Sequence, residues 1–497
     1  MSTPNLSAAT NGQTATTTIA DGSDLDRLLG QTFRNNQDVV QREVQTLVDL
    51  AVTNENIVSD SVLDTIDAIK AEIDRRLSEQ INVILHNDEF RRLEGTWRGL
   101  QYLVSNTATD EKLKVRVLNI SKKELGKVFR SFKGVAWDQS PLFKKIYEEE
   151  FGTPGGEPYG ALIGDYYFDH SAPDVEILSR MAQIAAAAHS PFITGAAPDV
   201  MGFNSWQELA NPRDLTKVFT TPEHAAWRSL RKQEDAKYVG LAMPRFLARM
   251  PYGPKTNAVE EFSFVEDTGT AGEHGKYSWS NAAYAMGVNI TRSFKEYGWC
   301  SRIRGVESGG VVASLPVHTF PTDDGGVDMK CPTEIAITDR REAELAKNGF
   351  MPLSHWKNTD YAVFIGAQSL HQPDEYDNPD ATANAKLGAR LPYLFATCRF
   401  AHFLKCMVRD KIGSFKERNE MESFLNDWIK NYTTATPSAT DKEKSERPLA
   451  EAHVEVTEVE GNPGFYSAKF FLRPHYQLEG LTASLRLVSK LPAPAAG

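Results

Sequence analysis

The feature that most constrains this chain is a strand-rich stretch near its C-terminal end. Residues His453–Glu460 alternate apolar and polar side chains, and turn residues 461–464 lead into a second stretch of strand character, Phe465–Arg473. A third such stretch covers Leu481–Val488, and a charged run, Asp441–Arg447, separates all three from the body of the chain. Alternation with a period of two is typical of a half-buried strand, so the pattern predicts a hairpin followed by a third strand.

A sheet this small raises the question of what completes it. Unpaired backbone groups at strand edges attract another chain, and an isolated hairpin is marginal in water. The first interpretation is that a second copy or a partner subunit completes the sheet; the alternative is that the stretch folds back onto its own core. The apolar residues that would carry the pairing are Val454, Val456, Val459, Phe465, Tyr466, Phe470, Leu472, Leu485 and Leu487.

Composition argues against several classes of protein. The chain has 497 residues, 41% of them hydrophobic and 24% charged, which is ordinary for a globular protein of two to four domains. A net charge of −11 without a basic stripe argues against nucleic-acid binding. No apolar run approaches the roughly 20 residues that cross a bilayer, and Met1–Asp24 does not resemble a secretory signal. The scattered cysteines predict free thiols in a bacterial-type cytoplasmic protein: Cys300, Cys331, Cys398 and Cys406.

The N-terminal region, residues 1–60, is predicted to be a disordered tail followed by short helices. A first amphipathic helix carries Leu25, Leu28, Leu29 and Phe33 on one face, and a second covers Gln37–Val52. A short helix beside a disordered tail is typical of a peptide that docks into a groove on a partner. The alternative is that the helix packs on its own core.

The body of the chain, residues 61–440, alternates helix and strand signals, which predicts a mixed α/β core, and residues 441–497 form the strand-rich arm. The clearest helix is Ser61–Leu85, whose apolar residues recur in steps of three and four. Strands are predicted at Lys114–Ile120, Ala161–Gly164 and Tyr361–Ala367, and helices at Val175–Ala188, 390–409 and 416–432.

Catalytic motifs are weak in this sequence. The best polar cluster is Asp165, Asp169 and His170, directly after a predicted strand, which raises the hypothesis of a metal-dependent hydrolase. The spacing matches no specific site, and turn and helix-cap chemistry ahead of the Val175 helix explains the same residues better. The acidic run Asp323–Asp328 is interpreted as a solvated turn or as a contact for a basic partner.

Four long blocks resemble one known family. They are Phe90–Leu100 (FRRLEGTWRGL), Tyr159–Pro198, Trp227–Gly253 and Cys331–Phe350. In these blocks the chain resembles the large subunit of the type VI secretion contractile sheath, the TssC/VipB family. The similarity spans nearly the whole length, and four long blocks are more specific than any short motif.

The resemblance implies a structural protein without enzymatic activity or cofactor, with a core similar to phage tail sheaths. Family members pair with a small sheath subunit (TssB/VipA-like) and stack with further copies into a helical tube around an inner tube of hexameric rings (Hcp-like). The sheath assembles in the cytoplasm on a baseplate and contracts, and an AAA+ ATPase (ClpV-like) recycles it. The N-terminal helix would be recognised by the ATPase, and the C-terminal strands would interlock with neighbours. A phage-like contractile particle, which needs no such ATPase, remains an alternative.

Overall fold

The computed structural model describes residues 62–211, 214–260, 262–269, 272–322, 324–412, 417–436, 438–459 and 466–477. The side chains of 62–66 and 135 are not described. The chain divides into two compact units, residues 1–83 with 259–265 and residues 84–258 with 266–497. Several predicted features lie outside the described residues: Leu25, Leu28, Leu29, Phe33, the helix Gln37–Val52, Phe465, Leu485, Leu487 and the strand Leu481–Val488.

Helices and strands alternate through the described chain, which confirms the predicted mixed α/β class. The helices are α1 (Val62–Leu85), α2 (Asp88–Ser105), α3 (Lys122–Ser131), α4 (Ala172–Ala188), α5 (Ala225–Lys232), α6 (Ala282–Tyr297), α7 (Asp339–Lys347), α8 (Pro379–Gly388), α9 (Leu391–Asp410), α10 (Arg418–Lys430) and α11 (Asp441–Glu446). Shorter helical turns include Pro141–Phe143, Leu215–Val218 and a π-helix at Lys144–Gly152. The strands are β1 (Leu162–Phe168), β2 (Phe192–Ala196), β3 (Val239–Met243), β4 (Phe246–Leu247), β5 (Trp279–Ser280), β6 (Val311–Val312), β7 (Thr319–Pro321), β8 (Val327–Met329), β9 (Phe350–His355), β10 (Ala362–Phe364), β11 (Leu449–Glu458) and β12 (Tyr466–Pro474).

The first unit is represented mainly by α1, and its bounds confirm the predicted helix Ser61–Leu85. Ion pairs between Glu72 and both Arg75 and Arg76 support the polar face at distances of 2.7 and 2.8 Å. On the apolar face, Ile73 and Leu77 keep 36% and 46% of their surface exposed. The amphipathic pattern therefore forms the helix without burying the whole stripe.

A six-stranded sheet in the order β1-β2-β3-β9-β10-β6 organises the second unit. Its first four strands are parallel, and β10 and β6 run antiparallel to their neighbours. Successive residues of β3 enter different cores: Leu241 packs with the cluster that contains α4, and Ala242 with the cluster that contains α6. Every residue of β2 and β3 is buried, as expected of parallel strands covered on both faces.

Helix boundaries in this unit follow local chemistry. Ser121 and Glu124 form a capping box at the start of α3. His189 ends α4 in the left-handed conformation at φ 50°, where the sequence predicted the end. Among the described residues, no helix combines the length and apolarity that crossing a bilayer requires.

The predicted strand Lys114–Ile120 is wrong. The segment is not assigned to any strand, and no described strand pairs with it. The side chains of Lys114 and Arg116 instead form ion pairs with Glu157 and Glu150. Strand propensity alone predicted an element that also needs a hydrogen-bonding neighbour.

Candidate assembly surface

The C-terminal hairpin forms a sheet of its own. β11 and β12 pair antiparallel from Leu449–Pro474 at one end to Glu458–Tyr466 at the other. This pairing confirms the predicted hairpin, although β11 begins four residues earlier than the alternation indicated. Two-stranded hairpins are not stable alone, so the hairpin needs support from other elements.

One face of the hairpin docks on helices of the same chain. Val454 and Val456 are 0% and 1% exposed and belong to a core with Leu425 and Ile429 of α10 and Phe400 of α9. The alternative that the arm folds back on its own core is thus correct for this face. Val454 and Val456 anchor the hairpin from inside, and they do not present their side chains to another chain.

Side chains of α10 also occupy the outer edge of β11. Asn426 donates from Nδ2 to the carbonyl of Val454 at 2.7 Å and accepts from its N–H at 2.9 Å. Glu422 accepts from the N–H of Val456 at 3.0 Å. These bonds satisfy backbone groups that would otherwise seek another strand, so this part of the β11 edge is closed within the chain.

The outer edge of β12 is different. Since the backbone groups of Val454 point away from β12, the register makes those of its partner Phe470 point away from β11. The backbone groups of Ala468 and Leu472, two residues to either side of Phe470, also point away from β11. In the described part of the chain, no strand or side chain bonds to these outward groups, so the β12 edge is open to strand addition.

Exposed aromatic side chains surround this edge. Tyr466, Phe470, Phe471 and Tyr476 keep 40%, 37%, 57% and 57% of their surface exposed. Aromatic residues are enriched at protein–protein interfaces, whereas a monomer rarely gathers so many on one small element. Of the predicted pairing residues, Tyr466 and Phe470 are therefore exposed in part, although they lie on the same face of the hairpin as Val454, and Leu472 and Val459 are partly buried.

The chain that follows β12 is tied down at Gln477. Its backbone N–H donates to the Tyr393 hydroxyl at 2.9 Å, and its side chain bonds to the Ser301 carbonyl at 2.8 Å and to Arg304 at 2.8 Å. These bonds fix the end of the described hairpin to α9 and to the loop that carries Ser301 and Arg304.

The cluster proposed for a hydrolase does not assemble. Asp165 accepts from the Asn281 amide at 3.2 Å, Asp169 accepts from the Ser171 N–H at 2.7 Å, and the half-buried His170 contacts the Asp199 carbonyl through Nδ1 at 3.1 Å. Although burial opposes it, the hydrogen bonds from Ser171 hold the pKa of Asp169 below its usual value. Among the described residues, no group of three or more His, Cys, Asp or Glu side chains is placed to hold a metal ion. The turn chemistry weighed against the hydrolase explains these residues.

Two family models cover most of the chain. The tail sheath N-terminal domain of the EvpB/VC_A0108 family (VipB) matches residues 67–371, and the tail sheath gpW/gp25-like domain of the same family matches residues 380–491. The chain belongs to the VipB family of contractile tail sheath proteins. Within this family, the hairpin β11–β12 and helices α8–α10 fall in the gpW/gp25-like domain, whereas the predicted boundary near residue 441 stays a prediction.

A curated relative supports the assignment over the full length. The type VI secretion system sheath protein TssC1 of Pseudomonas aeruginosa strain PAO1 is 64% identical over 498 residues, which covers 99% of each chain. Two solved structures of the anti-feeding prophage, its baseplate and its contracted helical sheath, share 10% and 11% identity. They cover 64% and 63% of this VipB-family chain and 67% and 66% of their own, with TM-scores of 0.35 and 0.31. At that level they add nothing to the family assignment.

Proposed function

We propose that this chain is the large subunit of a type VI secretion contractile sheath. It pairs with a small sheath subunit, and the pairs polymerise into a helical tube around an inner tube. The observation that carries this proposal is the 64% identity to a sheath protein over 99% of both chains. The role is structural, so we expect no enzymatic activity and no cofactor.

The hairpin supports the proposed role in assembly. An open β12 edge with exposed Tyr466 and Phe470 is suited to receive a strand from a neighbour. The predicted strand Leu481–Val488 would act as the donor, with Leu485 and Leu487 toward the neighbour's hairpin. Because donor and acceptor are different surfaces, the contact is head-to-tail, and a head-to-tail contact that does not close generates a helical filament.

The free energy for contraction would come from a change in how the subunits pack in the helical tube. The sheath assembles in an extended packing and moves to a contracted packing with more favourable contacts. An ordinary protein interface supplies several kcal/mol per subunit, and this amount is multiplied along the polymer. Strand pairing between neighbours would hold the subunits together while they rotate and slide.

The remaining partners follow from the same role. The tube would grow in the bacterial cytoplasm from a membrane-anchored baseplate around Hcp-like hexamers. After contraction, a ClpV-like AAA+ ATPase would take the sheath apart by recognising the helix that carries Leu25, Leu28, Leu29 and Phe33. The amphipathic pattern of this helix beside a Ser/Thr-rich tail supports its proposed role as a docking peptide.

The proposal is tested by co-expression with the small subunit. Electron microscopy is expected to show hollow tubules from the pair, and the chain without residues 450–497 is expected to form none. Monodisperse monomers from the full-length pair would reject the sheath function. Tubules formed by the truncated chain would reject only the role of the arm.

Recycling is tested separately at the N-terminal helix. Changing Leu25, Leu28 and Leu29 together to Asp is expected to abolish ATPase binding while tubules still form. The matched control Ile19→Asp, in the Ser/Thr-rich tail, is expected to bind normally. Unchanged binding of the triple variant would remove the helix from recognition, and absence of any ATPase binding by the parent chain would favour a phage-like contractile particle.

A further inference from the structure

Cys331 has surroundings unlike those of two other cysteines of this chain. All four thiols are free. Burial raises the pKa of Cys300 and of Cys398 to about 12, so both thiols stay protonated and unreactive near neutral pH. Burial also opposes the thiolate of Cys331, yet hydrogen bonds from His355 and Thr333 hold the pKa of this thiol below its usual value. The site therefore favours the charged, nucleophilic form of Cys331.

Thr333 places two donors beside the sulfur of Cys331. Its hydroxyl lies 3.2 Å from Sγ, where it donates either to the thiolate or to the Ile335 carbonyl at 2.9 Å. Its backbone N–H also bonds to the sulfur. This stretch is held against β4, because the Pro332 carbonyl accepts from the Leu247 N–H at 2.8 Å. The donors are thus positioned before any reaction takes place.

His355, the last residue of β9, is oriented as a base for this thiol. Its Nε2 lies 2.9 Å from the Thr359 carbonyl. Since a carbonyl only accepts hydrogen bonds, Nε2 carries a proton, and Nδ1 is the ring nitrogen left to take the proton of Cys331. Although burial opposes it, the hydrogen bonds with Cys331 and Thr359 raise the pKa of His355. The two residues therefore form a thiolate–imidazolium pair.

The surroundings also decide which reagents reach the sulfur. Cys331 and His355 are both half-buried, which favours a small and uncharged electrophile. Lys330 adds a second positive charge that attracts the thiolate. Its Nζ donates to the Gly272 carbonyl at 2.8 Å and lies 5.0 Å from the centre of the Tyr277 ring, so it does not cover the sulfur. Hydrogen peroxide has the size and neutrality that this site admits.

We propose that Cys331 is a site of reversible oxidation by hydrogen peroxide, with His355 as the base that takes up its proton. The thiolate sulfur attacks one peroxide oxygen, so an S–O bond forms while the O–O bond breaks. Sulfur loses two electrons to the peroxide, and the departing hydroxide takes the imidazolium proton and leaves as water. The products are Cys331 sulfenic acid, neutral His355 and water. A small cellular thiol then displaces the sulfenic hydroxyl, giving a mixed disulfide and a second water.

Alkylation kinetics test whether Cys331 is a thiolate. The full-length chain, co-expressed with the small subunit, is treated with iodoacetamide, and peptide mass spectrometry follows each cysteine. At pH 7, Cys331 is expected to react at least about 100-fold faster than Cys300 and Cys398. Its rate is expected to reach half of its maximum below the pH of about 8.5 at which an ordinary cysteine does. Equal rates at pH 7, or an ordinary pH profile, would overturn the inference.

The role of His355 is tested by His355→Gln, which removes the base and keeps a polar side chain of similar size. The pH profile of Cys331 alkylation is expected to move up by at least about one pH unit. The matched control His453→Gln, exposed on β11, is expected to leave the profile unchanged. Circular dichroism controls for folding of both variants. An unchanged profile in folded His355→Gln would remove the base from the proposal.

Oxidation itself gives an independent measurement on the parent chain. After treatment with hydrogen peroxide, dimedone traps sulfenic acid, and mass spectrometry locates the adduct. The adduct is expected at Cys331, and Cys331→Ser is expected to lose it without gaining one at Cys300 or Cys398. Added glutathione in place of dimedone is expected to give a mixed disulfide at the same residue. Absence of both products at Cys331, or equal oxidation of Cys300, would contradict the assignment.

Discussion

The main sheet and the C-terminal hairpin differ in how their backbone groups and apolar side chains find partners. β2 and β3 have a strand on each side and a hydrophobic core on each face, so their backbone and side chains are satisfied within the chain. The hairpin has one face on α9 and α10, one edge occupied by Asn426, and one edge to which none of the described residues bonds. The difference is that the chain itself completes the central strands of the main sheet, whereas it leaves the outer edge of β12 available for the proposed contact with a neighbour.

The largest expected effect tests whether the hairpin depends on its own core. Val454→Asp places a charge without a partner against Leu425 and Ile429, which costs about 3–5 kcal/mol. We expect loss of the hairpin, measured as fast amide exchange in β11 and β12 and as absence of tubules. The neighbouring control Glu455→Asp, on the exposed face, is expected to change little. Tubules formed normally by Val454→Asp would show that the hairpin does not need this anchor.

The next effect tests the contact between α9, which supports the hairpin, and α4, which packs on the main sheet. His402 of α9 donates from Nε2 to the carbonyl of Ala188, at the end of α4, at 2.8 Å, and its Nδ1 is buried without a partner. Burial lowers the pKa of His402 to about 4, and the charges of Arg399 and Lys405 act in the same direction.

The direction of the pH effect on the free energy of unfolding follows from the protonation of His402 in the folded and unfolded states. Because folded His402 stays neutral while the unfolded side chain protonates near pH 6.5, its contribution is constant above that pH and is lost as pH falls toward 4. The loss amounts to about 3 kcal/mol. Denaturant titrations between pH 7 and pH 4.5 should show a steeper fall for the parent chain than for His402→Gln. Equal slopes would contradict this role for His402.

A smaller effect is expected at the closed edge of β11. Asn426→Ala leaves the N–H and C=O of Val454 without partners, at a cost of about 1–3 kcal/mol. Asn419→Ala, on the exposed face of the same helix, is the matched control and is expected to stay within about 0.5 kcal/mol. Chemical denaturation measures both. Equal midpoints for the two variants would show that α10 does not close this edge.

The smallest effect on stability is expected at the exposed face of the hairpin. Phe471 is 57% exposed, so Phe471→Ser should change the free energy of unfolding by less than about 0.5 kcal/mol. If this face meets a neighbour, the variant should form fewer tubules at equal protein concentration. Sedimentation of assembled material measures this, with Ser467→Ala as a control on the same face. Unchanged sedimentation would place the contact elsewhere.

Much of the fold was accessible from the sequence because its signals are local. The spacing of Ile69, Ile73 and Leu77 predicts α1. The alternation of Val454 and Val456 predicts β11, but it left open whether this face packs on the chain's own core or on another chain. Each of these patterns depends on residues within one or two turns or on one strand.

The assembly surface was only partly accessible. The sequence predicted the hairpin and an open edge, but it gave no signal that Asn426, 28 residues before Val454, closes the edge of β11. It also grouped Asp165, Asp169 and His170, whereas in the structure each side chain bonds to a different nearby backbone or amide group.

The sequence by itself determined the family, the helices with strong periodicity and the strand character of the hairpin. Only the tertiary structure decided which strand edges are satisfied and which are open. The physical reason is that strand propensity resides in the side chains of a segment, whereas the hydrogen bonds that complete a strand come from residues distant in the chain or from another molecule.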